Sequence, residues 1–177
     1  MGITRIFLQH KALAALALLF AIPARPAIAE TAAIPNLYQV NEHIYRGGQP
    51  ALDAWQRLAK MGIKTVIDLR REDEHSTAAE AQAVAAAGMN YVNVPMKGVV
   101  APTNEQIAKL LALLDSSEPV FVHCKRGVDR TGTVIACYRI AHDRWQRQLA
   151  LQEAKSFCMG LFQVGLKHYI MAFQPAL

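Results

Sequence analysis

Cysteine is scarce in this sequence: three residues in a chain of 177, with no Cys-x-x-Cys pair, exclude a disulfide-stapled scaffold, a zinc ribbon and a thioredoxin-like centre. Aromatic residues, at 7%, are too few to build a base-stacking platform. Acidic residues are missing from the first 29 positions, which hold three basic ones, Arg5, Lys11 and Arg25. The net charge of +5 owes much to that stretch, because the remainder has sixteen basic against fourteen acidic residues. A nucleic-acid partner is therefore not expected, since that reading needs basic residues concentrated on one face. No repeat or linker divides the chain. With 53% hydrophobic and 19% charged residues it suits one globular domain rather than disorder or a fibrous array.

Polar side chains are also absent from Ala12 to Ile22, which follows the two basic residues of Met1 to Lys11 and precedes Ala27-Ile28-Ala29. Basic start, apolar run and small-x-small ending form an export signal, with cleavage expected after Ala29. The run covers roughly 16 Å as helix, whereas a bilayer span needs about 20 residues, so no stable membrane span is expected. The layout is a cleaved signal over 1–29 and one folded domain over 30–177, expected in the periplasm or outside the cell.

The rest alternates strand and helix patterns. Leu37 to Val40 and Ile44 to Arg46 flank a polar turn and read as a hairpin leading into Gly47-Gly48. Pro50 opens a helix that Gly62 stops. Ile63 to Leu69 is a buried strand, and the charged loop Arg70 to His75 leads to an Ala-rich helix over 76–87. A strand follows at Asn90 to Val94, and Pro95 to Pro102 is a loop. Thr103 and Gln106 then form a capping box for a helix ending near Asp115. Val120 to His123 is a third buried strand, followed by helices over 131–142, 145–158 and 161–172. This order predicts an α/β fold, a single domain with a mostly parallel central sheet flanked by helices, and a ligand site at the strands' carboxyl ends, where Cys124 lies.

The segment His123-Cys124-Lys125-Arg126-Gly127-Val128-Asp129-Arg130-Thr131-Gly132 joins that third strand to a helix. A loop wrapping a helix N-terminus aims backbone N–H groups inward as an anion nest, here Lys125, Arg126, Gly127, Val128, Asp129 and Arg130. Arg130 adds a guanidinium that pairs with phosphoryl oxygens. The same positive field favours thiolate at Cys124, a nucleophile placed beneath a bound phosphorus. Thr131 is placed to assist the sulfur when water attacks the intermediate. No metal-ligand spacing appears, and the chemistry calls for no metal or cofactor. Lys125 and Arg126 favour substrates with more than one phosphate, or else form solvated surface charge. Arg46 reads as a surface salt bridge, with an anion contact as the alternative. Trp55, Phe157, Phe162 and Tyr169 read as core, as do Cys137 and Cys158, either of which could pair with Cys124 on oxidation.

The loop resembles the Cys-x5-Arg-[Ser/Thr] signature of the cysteine-dependent protein tyrosine phosphatase superfamily, in its bacterial dual-specificity phosphatase-like branch. Ile44-Tyr45-Arg46-Gly47-Gly48-Gln49-Pro50 and Gly62 to Arg70 are similar to segments preceding the catalytic strand in bacterial members. The resemblance implies Cys124 as nucleophile, Arg130 as phosphate clamp, Thr131 as the hydroxyl of the second step and His123 as an ordering partner. Relatives supply a general acid from the loop that here is Pro95 to Pro102, and this loop has no carboxylate. Asp129 is the leading replacement, with bracing of Arg130 or capping of the following helix as its alternative role; Glu105, Asp73 and Glu74 follow. The expected activity is hydrolysis of phosphate monoesters on a phosphorylated protein, phosphotyrosine or dual specificity, or on a small phosphorylated substrate such as a phosphoinositide or inositol polyphosphate. Rhodanese-like sulfur transfer and phosphate binding without turnover are the competing classes.

Overall fold

The computed structural model describes residues 34–175, so the export signal and its cleavage site lie outside the described residues. Five strands form one sheet: β1 (Tyr38–Gln39), β2 (Ile44–Gly47), β3 (Thr65–Asp68), β4 (Asn90–Asn93) and β5 (Val120–His123). Their order is β1-β2-β5-β3-β4, parallel throughout except the β1–β2 hairpin. The centre is β5, whose four residues are all buried, as a β-branched and aromatic run covered on both faces should be. The mostly parallel α/β sheet read from the sequence is thus present.

Side chains alternate along a strand, and the two faces collect different cores. Val120, Val122, Ile67 and Leu69 pack with α3 (Asn104–Leu114), α4 (Asp129–Ala141), α5 (Arg147–Ser156) and α6 (Val164–Ala172). Phe121 and Val66 face the other way, onto Trp55 and Leu58 of α1 (Ala54–Lys60) and Val84 of α2 (Thr77–Ala86). Asp68 and His123 share that second face and are fully buried. α4 runs through the interior and buries nearly every side chain from Asp129 to Ile140, so its exact placement, and that of its N-terminus, is fixed by packing on several sides.

The Thr103 capping box forms as read. Thr103 Oγ1 accepts from the Gln106 N–H at 3.2 Å, Gln106 Oε1 accepts from the Thr103 N–H at 2.8 Å, and Gln106 Nε2 donates to the Pro95 carbonyl at 2.7 Å. The box thereby ties the loop over 95–102 to α3. Several details differ from the sequence reading. α1 begins at Ala54 rather than Pro50. The charged loop contains a 3₁₀ turn, Glu72–Glu74. α4 begins at Asp129 rather than Thr131, so Arg130 belongs to the first helical turn. Cys158 falls outside α5, exposed and with φ +65°, and Phe162 is 90% exposed rather than core. Cys137 and Trp55 are buried as expected, the former in apolar surroundings that push its thiol up. Among the described residues, no helix is long and apolar enough to cross a membrane.

Candidate active site

Cys124 follows β5 directly, and the loop from it to α4 rests on the Gly47-Gly48 step of the neighbouring strand. Gly127 has φ +72°, and a Cβ there would stand 2.3 Å from the Gly47 carbonyl carbon and 2.4 Å from the Gly48 nitrogen, so only glycine fits. Three successive loop carbonyls point back into the protein. That of Lys125 accepts from the Gln49 N–H at 3.2 Å, that of Arg126 from Asn36 Nδ2 at 2.8 Å, and that of Gly127 from Arg46 Nη2 at 2.8 Å. A trans peptide sets its N–H antiparallel to its C=O. The N–H groups of Arg126, Gly127 and Val128 therefore face the opposite side, and no acceptor in the described chain takes them. This is an anion nest at a helix N-terminus.

Arg130 reaches the same hollow from the first turn of α4. Its outer end is fixed by Glu74, with Nη1 to Oε1 at 2.6 Å and Nη2 to Oε2 at 2.9 Å, and Nη1 also meets the carbonyls of Leu69 and Met96 at 3.3 Å. The edge formed by Nε and the second Nη2 hydrogen remains for two parallel bonds to an oxyanion. The bond to Arg130 holds the Glu74 carboxyl below its ordinary range. Cys124, Lys125, Arg126, Asp129 and Arg130 line a cavity of about 180 Å³, closed by Gly98, Val99 and Gln163. A hollow of about 440 Å³ beside Asn104 and His142 is larger, but none of its lining residues is a cysteine.

The remaining site residues are placed as follows. Thr131 is fully buried, and its hydroxyl has no hydrogen-bond partner in the described chain. Val128 is buried at the N-cap of α4. Asp129 lines the cavity with both oxygens engaged, Oδ1 accepting from the Gly160 N–H at 2.8 Å and Oδ2 from Arg126 Nη2 at 2.5 Å. Among the four acid candidates only Asp129 lines this cavity. Glu74 stands behind Arg130, and Asp73 pairs with Arg71 at the surface. Glu105 is exposed at the start of α3, where its own backbone N–H and the Thr103 hydroxyl hold it below its ordinary range. The loop over 95–102 contributes Gly98 and Val99 to the wall and no carboxylate. Gln163 was not legible as a site residue; its Oε1 is buried without a partner.

Behind the nest lies a second polar cluster. The His123 ring stacks on Phe121, meets Trp55 edge-on, and sets Nε2 3.1 Å from Glu80 Oε1. Arg70 binds Asp68 through Nε at 3.0 Å and Nη2 at 2.8 Å, and binds Glu80 as well. Tyr91 donates to Asp68 Oδ2 at 2.9 Å, and His75 Nε2 lies 2.8 Å from the same oxygen. Burial alone would raise Asp68 and Glu80, but Arg70 for the first and His123 for the second outweigh it, and both carboxyls sit below their ordinary range. Asp68, His75 and Glu80 have the spacing of a metal-ligand group, yet both carboxylates already bind the Arg70 guanidinium. Arg46 is no surface salt bridge. It is 1% exposed beneath the nest, lies 4.1 Å over the Phe157 ring, and is pushed down to about 10 by burial.

Known proteins resemble this chain in sequence and in fold. The chain is 31% identical over 127 residues to dual specificity protein phosphatase TpbA of Pseudomonas aeruginosa, matching 67% of this chain and 52% of that protein, so it spans about half the length of that relative. It is 27% identical over 133 residues to inositol diphosphatase DSP5 of Arabidopsis thaliana, matching 72% of this chain and 63% of that one. The core catalytic domain of the PP-IP phosphatase SIW14 from S. cerevisiae, solved with citrate, has the same fold, with TM-score 0.70, 21% identity and coverage of 80% and 87%. A family model covers residues 27–169, which takes in every element from the β1–β2 hairpin to α6 short of its last turn, and on that match the chain belongs to the family described as PTP-NADK, DSP-PTPase phosphatase fused to NAD+ kinase.

Proposed function

We propose that this chain is an exported phosphatase that hydrolyses phosphate monoesters through a phosphocysteine on Cys124. One observation carries the reading. Cys124 and Arg130 line one cavity, Arg130 keeps an edge free of internal acceptors, and the N–H groups of the loop between them meet no acceptor among the described residues. The phosphoryl group sits in the nest, the sulfur attacks phosphorus in line, and the ester P–O bond breaks. The departing oxygen takes its proton from water, or from Asp129 once Arg126 has released it and it has taken up a proton from solvent as the carboxylic acid. Water then attacks phosphorus, the P–S bond breaks, and Thr131 stabilises the leaving sulfur. Inorganic phosphate departs.

The principal substrate class is phosphotyrosine, or protein phosphate of dual specificity, in line with the name of TpbA. A second reading, an inositol polyphosphate or phosphoinositide, is favoured by Lys125 and Arg126 on the cavity wall and by the name of DSP5. Export to the periplasm or beyond rests on the sequence of residues 1–29.

Turnover of p-nitrophenyl phosphate without added metal tests the reaction. Wild type releases nitrophenol, vanadate blocks it, and Cys124→Ser abolishes it; activity surviving in Cys124→Ser overturns the assignment. Asp129→Asn separates the acid from a brace. A donor role predicts a loss of about 10² to 10⁴ on alkyl phosphates and little on aryl ones, whereas equal losses on both mean that Asp129 only orders the loop.

A further inference from the structure

Exposed apolar side chains are not scattered evenly over this protein. Val99, Val100, Leu161, Phe162 and Val164 lie on two short segments, 98–101 and 161–165, and those segments supply Val99 and Gln163 to the cavity wall. The segments touch, since a Cβ on Gly165 would stand 2.8 Å from the Val99 carbonyl oxygen. Five exposed apolar side chains are thereby gathered on two touching segments beside the cavity, an apolar rim that Val99 joins to its wall. Leu161 and Phe162 are 84% and 90% exposed, so they project as knobs. Lys125 and Arg126 border the same cavity, and Lys97 and Lys167 lie beside the two segments in sequence. Lys97 and Lys125 are exposed and have no ion pair in the described chain, while Lys167 donates to the Leu161 carbonyl at 3.0 Å. Arg126 is neutralised in part by Asp129.

Projecting apolar knobs beside unpaired lysines match the two layers of an anionic membrane surface, acyl chains beneath charged headgroups. A fluid acyl layer closes around knobs of any shape, whereas a folded protein partner would need holes in register with them. We propose that this rim enters the surface of an anionic bilayer and that the cavity takes its phosphomonoester from a lipid headgroup held there. The phosphoryl group lies in the nest, and the organic part leaves past Val99 along the rim. The proposal rests on the phosphatase reading and narrows its substrate class.

The test is sedimentation of the full chain with vesicles of phosphatidylcholine alone, and with vesicles that also contain phosphatidylglycerol and a phosphatidylinositol monophosphate. Wild type sediments with the anionic vesicles and releases phosphate from them. Leu161→Ser combined with Phe162→Ser lowers binding about a hundredfold, from two side chains each worth roughly tenfold or more when buried. Phosphate release from vesicles falls with binding, while turnover of p-nitrophenyl phosphate and of a soluble inositol phosphate stays at the wild-type level. Equal binding and equal vesicle turnover in wild type and double variant overturn the proposal. So does a parallel loss on the soluble substrates, which would mean that the rim supports the cavity itself. A wild-type chain as inactive as Cys124→Ser on p-nitrophenyl phosphate overturns the phosphatase reading instead, and vesicle binding is scored without reference to it.

Discussion

Two polar clusters meet at the end of β5, and they are built on opposite principles. Behind His123, Asp68 and Glu80 are closed around Arg70, with Tyr91 and His75 completing the shell, and the carboxylates face a cation within the chain. In front of it, three peptide N–H groups and one edge of Arg130 meet no acceptor in the described chain. Buried donors left open are costly unless something else fills them. The contrast separates a cluster that holds the protein from one that holds a ligand. Glu74 belongs to both designs: it fixes one end of Arg130 internally and so aims the other end outward.

Breaking the closed cluster is expected to have the largest effect on stability. Arg70→Met leaves Asp68 and Glu80 buried without their cation, and urea unfolding is expected to show a loss of about 3–5 kcal/mol. A loss below about 1 kcal/mol would show the cluster to be as weakly coupled as a surface pair. Glu74→Gln acts at the junction and removes the charge from a bond that orients Arg130. The expected loss in kcat/KM is about tenfold to a hundredfold, from roughly 1.5–3 kcal/mol for a hydrogen bond to a charged group. Unchanged kinetics would mean that Arg130 finds its orientation without Glu74.

The smallest effect is on pH dependence. Asp68, Glu74 and Glu80 titrate below their ordinary values of 3.8, 4.5 and 4.5, so the folded chain binds their protons less readily than the unfolded chain does. Their stabilisation is fully present above the unfolded values and is lost as pH falls through the lower folded ones. Urea midpoints measured downward from about pH 6 should hold until the unfolded values are approached and then drop. Arg70→Met should flatten that drop; an identical pH profile in the variant would detach the carboxylate shifts from Arg70.

Much of the scaffold was legible because it is local. The β-branched run of β5, the Thr103 capping box and the strand-to-helix position of Cys124 each depend on residues close in sequence. What escaped reading depends on sheet order. Pairing of β3 with β5 brings the charged loop after β3 against the nest, which is how Glu74 meets Arg130 across 56 positions. A charged loop at the carboxyl end of a parallel strand was the available signal, and it suggested a proton donor rather than a clamp. Arg46 reads as a surface cation because nothing in Tyr45-Arg46-Gly47 announces that Phe157 and the Gly127 carbonyl will enclose it. Gln163 and Phe162 misled for a related reason. A helical pattern over 161–172 put both on a helix, whereas the chain turns until Val164, leaving Phe162 outward and Gln163 on the cavity wall.

The claim on which the mechanism depends is that the open donors face one oxyanion over the Cys124 sulfur. A crystal structure of the protein soaked in tungstate tests it directly. The oxyanion is expected within about 3 Å of the N–H groups of Arg126, Gly127 and Val128 and of Arg130 Nε and Nη2, with Glu74 still on the far end of the guanidinium. Tungstate bound elsewhere, with those N–H groups turned to internal carbonyls and Arg130 facing away, would contradict the account.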